Sequence, residues 1–133
     1  YYEGEGVPQD DAEALKWWRK AAEQGNAYAQ FNLGSAYYSG AGVPEDDAEA
    51  LKWYRKAAEQ GHADAQSNLG FMHANGVGVA KDDVEAYMWW NLVAAQGNES
   101  AKQNKGIISE RMTRWQIAGA QKLSREWLAK RQK

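Results

Sequence analysis

The sequence predicts an all-α solenoid of about three helix-loop-helix repeats of 36 residues, closed by a C-terminal capping helix. The stretch "DDAEALKWWRKAAEQGN" from Asp10 returns as "DDAEALKWYRKAAEQGH" from Asp46 and more loosely as "DDVEAYMWWNLVAAQGN" from Asp82. The motifs "GEGV", "GAGV" and "GVGV" keep the same 36-residue step. Because a single hairpin cannot bury its apolar face alone, such copies are expected to stack on their neighbours.

The second helix of each pair is amphipathic. Its apolar positions in the first copy are spaced i, i+3, i+4, i+7 and i+8, at Ala14, Trp17, Trp18, Ala21 and Ala22. An aspartate followed three residues later by glutamate predicts a capping box at the start of each copy, in the pairs Asp10/Glu13, Asp46/Glu49 and Asp82/Glu85. Each of these helices is expected to end at a glycine, namely Gly25, Gly61 or Gly97.

The first helix of each pair is predicted over about residues 27–39, with Asn26 and Asn98 as good N-caps and His62 as a weaker one. Its core stripe in the first complete hairpin is Ala29, Leu33, Ala36 and Tyr37. Gly34 should let a neighbouring helix approach closely. A glycine loop then turns the chain, and Pro44 prevents the helix from continuing.

The end of the chain departs from the repeat. Lys105 occupies the position of Leu33, so Ile108 is expected to replace it in the core. Thr113 and Gln116 predict a further capping box, which opens a last helix. That helix is expected to pack through Ile117, Ala120, Leu123 or Ser124, Trp127 and Leu128.

The composition is that of a globular chain without a membrane span or disulfides. It has 133 residues, seven tryptophans and no cysteine, and no apolar run approaches the roughly 18 residues that a membrane helix needs. The net charge of -2 is unevenly distributed. Residues 1–100 contain 7 Lys/Arg against 16 Asp/Glu, whereas residues 101–133 contain 9 against 2.

The segment "AQFNLGSAYYSGAGVPEDDAEALKWYRKAAEQG" resembles the Sel-one-like repeat (SLR), a branch of the tetratricopeptide-like superfamily, and the resemblance covers about residues 1–106. It implies a right-handed α/α solenoid, a bacterial source, and a periplasmic or secreted location with the cytoplasm as alternative. We expect one solenoid domain over 1–133, with a truncated first repeat at 1–25, repeats at 26–61 and 62–97, and a divergent last hairpin with the capping helix at 98–133.

Neither catalysis nor a cofactor is predicted. The two histidines, His62 and His73, fall at a turn and at a core position, and neither has the carboxylate neighbours of a metal site. Nucleophile and phosphate-loop motifs are missing from the sequence. The glycine loops and the aspartate pairs are explained by turns and helix caps, so we expect no enzyme activity, metal or cofactor.

The expected function is a scaffold that binds a protein or peptide on the concave face, which the resemblance assigns to the first helix of each hairpin. The predicted lining is Tyr28, Phe31, Ser35, Tyr38, Asp64, Ser67, Phe71, Ala74, Ser100, Gln103, Ile107 and Glu110. The resemblance also offers a penicillin-binding module as an alternative, for which the chain has no plausible nucleophile.

The two ends of the chain suggest two further kinds of partner, nucleic acid and a second copy of the chain. The basic C-terminal segment offers nucleic-acid binding as an alternative, which the acidic body and the spread of the cations argue against. At the other end, the truncated first repeat would leave Trp17 and Trp18 near an uncovered surface, so a homodimer through the N-terminal end is a further expectation.

Overall fold

The computed structural model describes the backbone of residues 8–131 and the side chains from Glu13 onward. Within this range the chain forms seven α-helices and no strand. Their bounds are α1 Pro8–Glu23, α2 Ala27–Ser39, α3 Asp47–Glu59, α4 Ala63–Asn75, α5 Asp83–Ala94, α6 Glu99–Ser109 and α7 Arg114–Arg131. The all-α repeat fold is therefore confirmed. The chain divides into two compact units, residues 1–65 and 66–133.

The first helix of each hairpin begins at a side-chain cap. The Oδ1 atom of Asn26 accepts the N–H of Ala29 at 2.8 Å, and Asn98 makes the equivalent 2.8 Å bond at the start of α6. His62 fills this position before α4, where its Nδ1 accepts the N–H of Ala65 at 3.2 Å. The three caps are thus confirmed, and the histidine makes the longest bond of the three.

The predicted capping boxes of the second helices form only in part. Asp46 Oδ1 accepts the N–H of Glu49 at 3.1 Å, as expected. The return bond does not form, because the N–H of Asp46 donates instead to the carbonyl of Tyr37 at 2.9 Å. Glu49 pairs with Lys52 at 2.9 Å. A carbonyl in the last turn of α2 therefore supplies the acceptor that the sequence had assigned to glutamate.

The same arrangement repeats one copy later, and the first copy differs. Asp82 Oδ1 accepts the N–H of Glu85 at 3.1 Å, while its own N–H donates to the carbonyl of His73 at 2.8 Å. In the first copy the predicted start at Asp10 is wrong, since α1 begins at Pro8 and continues through that residue. The side chain of Asp10 lies outside the described ones.

The first unit has its own core between α1, α2 and α3. It is built from Leu15, Ala22, Ala29, Leu33, Ala36 and Trp53. A Cβ atom on Gly34 would lie 2.9 Å from the ring of Tyr54, so the glycine does permit close approach of α3. The amphipathic assignment of α1 was wrong at one position: Trp17 is 60% exposed, and the core position belongs to Leu15.

The second unit packs α5, α6 and α7 around buried residues. These are Ala74, Ala86, Tyr87, Trp90, Val93, Ala94, Ala101, Ile108, Met112 and Ala120. Ile108 takes the core position as expected, and the Nζ of Lys105 reaches the Oδ1 of Asn91 at 3.0 Å. In α7 the buried residues are Ala120 and Ser124, while Leu123 and Leu128 are exposed, so the expected packing of Leu128 was wrong.

The capping box at the start of α7 is complete. The N–H of Gln116 donates to Thr113 Oγ1 at 3.0 Å, and the N–H of Thr113 donates to Gln116 Oε1 at 2.8 Å. This confirms the predicted beginning of the last helix. No helix among the described residues has the length and apolar character to cross a membrane.

Candidate partner-binding faces

In the first unit, the outward face of α2 carries the predicted aromatic residues. Tyr28 is 67% exposed and Tyr38 is also exposed. Phe31 is half-buried, because its ring lies 5.6 Å from Tyr54 and 4.8 Å from His62, measured between ring centroids. The two tyrosines are therefore free to contact a partner, whereas Phe31 also packs within the unit.

Two other predicted positions of this unit are polar. The hydroxyl of Ser35 shares a 2.9 Å hydrogen bond with the hydroxyl of Tyr54, which ties α2 to α3. Asp64 lies exposed in the first turn of α4. Ser35 thus helps to hold α2 against α3, and Asp64 is an exposed carboxylate.

In the second unit, Phe71 on α4 is 46% exposed and Ile107 on α6 is 67% exposed. Ser67 is half-buried, and its carbonyl accepts the indole N–H of Trp90 at 3.3 Å. The structure also exposes Ser100 and Gln103 on α6, and Glu110 directly after it. Ala74 is buried and belongs to the core, so its assignment to the open face was wrong.

A cleft of about 160 Å³ opens between α4 and α6 of the second unit. It is lined by Ala74, Asn75, Trp90, Asn104, Ile107, Ile108 and Arg111. Sequence reasoning identified one of its exposed residues, Ile107, but did not identify the cleft. The sequence did not show that Trp90 borders a cleft, because its position in the repeat indicated only core packing.

A related cleft of about 200 Å³ lies in the first unit. Its lining is Trp18, Asn32, Ser35, Ala36, Ser39 and Ala41. Five of these positions correspond, two repeats earlier, to lining residues of the second cleft: Trp18 to Trp90, Asn32 to Asn104, Ser35 to Ile107, Ala36 to Ile108 and Ser39 to Arg111. The cleft is therefore a product of the repeat.

Two of the first helices, α2 and α4, carry little charge, whereas α6 contains Glu99, Lys102 and Lys105. The α2 sequence "AYAQFNLGSAYYS" has no charged residue, and in α4 the acidic residue is Asp64 and the basic one is His73. By contrast, α3 reads "DAEALKWYRKAAE". The candidate faces of α2 and α4 are thus aromatic, hydroxyl and amide surfaces, a composition that suits polypeptide contacts better than phosphate or metal binding.

Arg111 and Asp83 of the second unit form an ion pair that the sequence did not predict. Arg111 donates from Nε and Nη2 to the two carboxylate oxygens of Asp83, at 3.0 and 2.8 Å, and from Nη2 to the carbonyl of Ala74 at 3.0 Å. The hydrogen bond from Arg111 lowers the pKa of Asp83, and the pair raises the pKa of Arg111. The guanidinium thus links the end of α4 to the start of α5.

The histidines do not come together. His73 is buried, with Nε2 3.8 Å from Glu85 Oε1, and His62 caps α4. Among the described side chains, no three His, Cys, Asp or Glu residues lie close enough to hold a metal.

The basic end of the chain is exposed and spread around α7. Its cations are Arg114, Lys122, Arg125, Lys130 and Arg131. Trp115, in the first turn of α7, is 85% exposed and lies outside the predicted faces.

The comparisons with known proteins agree on the family. The model of the Sel1 repeat matches residues 1–26, 27–62 and 63–98. The crystal structure of a protective antigen present in uropathogenic Escherichia coli strains, which displays an SLR fold, is similar with a TM-score of 0.87 and 38% identity. That match covers 93% of this chain and 27% of the antigen. No curated protein matches the chain.

A second solved structure, a Sel1 repeat protein from Oxalobacter formigenes, is 43% identical with a TM-score of 0.72. That match covers 75% of this chain and 41% of the relative, so the chain spans less than half the length of either solved relative. Three matched repeats and two bacterial neighbours of the same fold place the chain among helical repeat proteins. The chain belongs to the Sel1 repeat family.

Proposed function

We propose that this chain is a non-enzymatic scaffold that binds protein or peptide partners through the outward faces of α2, α4 and α6. Sel1 repeat proteins are generally protein-interaction scaffolds, and their fold is typically without enzymatic activity. The proposal adds the location of binding to that general role.

One observation supports the location: large aromatic side chains stand exposed on α2 and α4, which carry almost no charge. Tyr28, Tyr38 and Phe71 are exposed, and none belongs to the core clusters of its unit. Exposed aromatic residues that a fold does not need for its own packing are typical anchors of binding surfaces. Charged residues are more frequent on α3, α6 and α7.

The expected affinity is modest. A helix of 13 residues such as α2 is about 20 Å long. The face of one such helix is smaller than the roughly 800 Å² per partner of a standard stable interface. Dissociation constants in the micromolar range are therefore expected for this chain.

The proposal is tested by selecting peptides from a phage-displayed random library against the whole chain and measuring their affinity by fluorescence polarisation. The double variant Tyr38→Ala/Phe71→Ala should bind the selected peptides at least tenfold more weakly, about 1.4 kcal/mol. Its helicity and melting temperature should stay close to those of the wild type, because both side chains face solvent.

The matched control is Trp115→Ala, which removes an exposed aromatic residue outside the candidate faces. It should leave peptide affinity unchanged. Equal binding by the double variant and the wild type would place the interaction elsewhere on the chain. Stable acylation by a fluorescent penicillin would contradict the non-enzymatic assignment, and a steep loss of affinity with salt would favour the basic α7 as the binding element.

A further inference from the structure

We propose that the solvent-facing side of α7 is a second interaction surface, which binds an acidic polypeptide segment that carries an apolar side chain. This basic face consists of Arg114, Trp115, Gly119, Lys122, Leu123 and Arg125. It is separate from the proposed faces of α2, α4 and α6, and its binding does not depend on theirs.

The residues of the basic face share one half of the helix circumference. The helix α7 has 18 residues and is about 27 Å long. Its buried residues are Ala120 and Ser124. At about 3.6 residues per turn, the residues of the basic face fall on the half opposite these two, and all of them are exposed. The basic face is therefore open to a partner.

The charge of α7 favours an acidic partner. Its sequence contains five Lys/Arg against one glutamate, whereas α3 contains three Lys/Arg against three Asp/Glu. That glutamate, Glu126, lies 3.8 Å from Lys122. Among the residues that the structure describes, Arg114 and Arg125 form no ion pair. Carboxylates of a partner can therefore pair with these guanidinium groups, whose planar shape suits bidentate hydrogen bonds.

Two apolar side chains and a gap between them complete the basic face. Trp115 is 85% exposed and Leu123 is 39% exposed. Gly119 lies between them on the same stripe of the helix, four residues from each. A Cβ atom on Gly119 would meet no heavy atom within 4 Å, so the space above it is open. An apolar side chain of a partner can therefore lie over Gly119, between Trp115 and Leu123, and lose its contact with water there.

The chemistry of the second unit favours a polypeptide over an extended polyanion. Tryptophan and arginine are the side chains that most often anchor protein–protein interfaces. The second unit also exposes Glu99 and Glu110, whose carboxylates would repel a nucleic acid or an anionic bilayer that covered more than α7. A short acidic segment that lies along α7 avoids this repulsion.

The test uses the whole chain and measures the fluorescence polarisation of labelled peptides of about twelve residues. The acidic probe consists of glutamates interrupted by leucines, and two matched probes replace its glutamates by glutamines or its leucines by alanines. The acidic probe should bind saturably. The glutamine probe should bind at least about tenfold more weakly, because it cannot pair with the guanidinium groups, and the alanine probe at least about threefold more weakly, because it leaves the gap at Gly119 unfilled.

The variant Gly119→Gln distinguishes a binding role from a structural one. It fills the gap, so it should weaken binding of the acidic probe at least about tenfold. It should also raise the melting temperature, because glutamine favours a helix more than glycine does. The matched control is Gly106→Gln on α6, where a Cβ atom likewise meets no heavy atom within 4 Å. The control should raise the melting temperature and bind the acidic probe as the wild type does.

Charge reversal locates the ion pairs. Arg114→Glu/Arg125→Glu should weaken binding of the acidic probe at least about tenfold. The matched control Lys16→Glu/Lys20→Glu, at two exposed positions of α1, changes the net charge by the same amount and should retain most of the affinity. Circular dichroism reports whether each variant is folded. An unfolded charge-reversed variant does not affect the test of charge, because the comparison of acidic and glutamine probes uses the wild type alone.

The inference is overturned if the acidic probe does not bind saturably, if the glutamine probe binds as tightly, or if Gly119→Gln and Gly106→Gln bind alike. It is also overturned if labelled single-stranded DNA, or vesicles of phosphatidylcholine with phosphatidylglycerol, bind more tightly than the acidic probe and depend on the same arginines. Tyr38→Ala/Phe71→Ala should bind the acidic probe as the wild type does. A loss of affinity in that variant would place the acidic probe on the faces of α2 and α4 and contradict a separate surface on α7.

Discussion

At the scale of single residues, two glycines at equivalent positions of the repeat have different surroundings. A Cβ atom on Gly70 would lie 2.5 Å from the indole nitrogen of Trp90. At Gly106 in α6, a Cβ atom would meet no heavy atom within 4 Å. Both residues lie within helices, so the same substitution is expected to have opposite effects at the two positions.

Gly70→Ala should destabilise the chain by about 1–3 kcal/mol, because the indole of Trp90 must move to relieve the overlap. Gly106→Ala should stabilise it by up to about 1 kcal/mol, because alanine favours the helix and nothing opposes its methyl group. Urea unfolding followed by circular dichroism measures both. Similar stability changes at the two positions would mean that the close contact of Gly70 with Trp90 does not govern packing.

The ion pair of Asp83 and Arg111 predicts a pH dependence of stability. The pKa of Asp83 is lowered from its ordinary value of 3.8, chiefly by the hydrogen bond from Arg111. A carboxylate with a lowered folded-state pKa stabilises the fold fully above the unfolded-state value, and this contribution is lost as the pH falls through the folded-state pKa.

Asp83→Asn should therefore be less stable than the wild type near neutral pH, and the difference should shrink as the pH falls below the ordinary carboxyl pKa of 3.8. Urea midpoints measured over this range test the expectation. Glu126→Gln is the control, because Glu126 forms an exposed pair with Lys122 at 3.8 Å, and such pairs contribute little to stability. A difference between wild type and Asp83→Asn that stayed constant with pH would contradict the assigned role.

At the scale of elements, α3 and α5 each begin at an aspartate cap whose own N–H donates to a carbonyl of the preceding helix. In α3 the cap bond from the Glu49 N–H to Asp46 forms, while the Asp46 N–H is taken by the carbonyl of Tyr37. The carboxylate of Glu49 contacts Lys52 instead. The two acidic residues of the motif therefore contribute unequally to the helix.

Asp46→Ala should cost about 1 kcal/mol of folding free energy, the usual value for loss of an N-cap. Glu49→Ala should cost only about 0.3 kcal/mol, since it removes an i, i+3 ion pair on the helix surface. Thermal and urea unfolding distinguish these values, with the exposed neighbour Glu45→Ala as the control. Equal losses for Asp46 and Glu49 would show that the reciprocal capping box forms in solution.

At the scale of the whole molecule, the chain is built of two units, each with a core of its own. The first core includes Leu33 and Trp53, and the second includes Trp90, Val93 and Ile108. In repeat proteins, stability is approximately the sum of local contributions and nearest-neighbour contacts. Damage to one unit should therefore leave part of the other intact.

Inserting two glycines between Trp53 and Tyr54, in the middle of α3, should remove hydrogen-exchange protection from α1–α3 and leave protected amides in α5–α7. The insertion shifts every later residue of α3 out of its packing register, so the first core loses its contacts. An insertion of the same pair in the exposed loop at Ala41 is the control and should preserve both regions. Simultaneous loss of all protection from the α3 insertion would argue against separable repeats.

The sequence determined by itself the repeat length, the all-α fold, the asparagine and aspartate caps and the glycine turns, because these follow from spacing and local backbone preferences. It also indicated which helices carry exposed aromatic residues. It could not determine whether equivalent residues share an environment: Trp17 and Trp53 occupy the same repeat position, yet Trp17 is 60% exposed and Trp53 is 5% exposed.

Only the tertiary structure decided such differences, because burial depends on which elements pack against a position. Trp53 belongs to the core that includes residues of α1 and α2. Trp17 lies on α1, and the Nζ atom of Lys20 is 5.7 Å from the centroid of its ring. The contacts of Arg111 with Ala74 and Asp83 also join residues far apart in the chain, and the bond from Asp46 to Tyr37 joins two different elements. The clefts arise for the same reason, since an indole, a carboxamide and an apolar wall meet there from different helices.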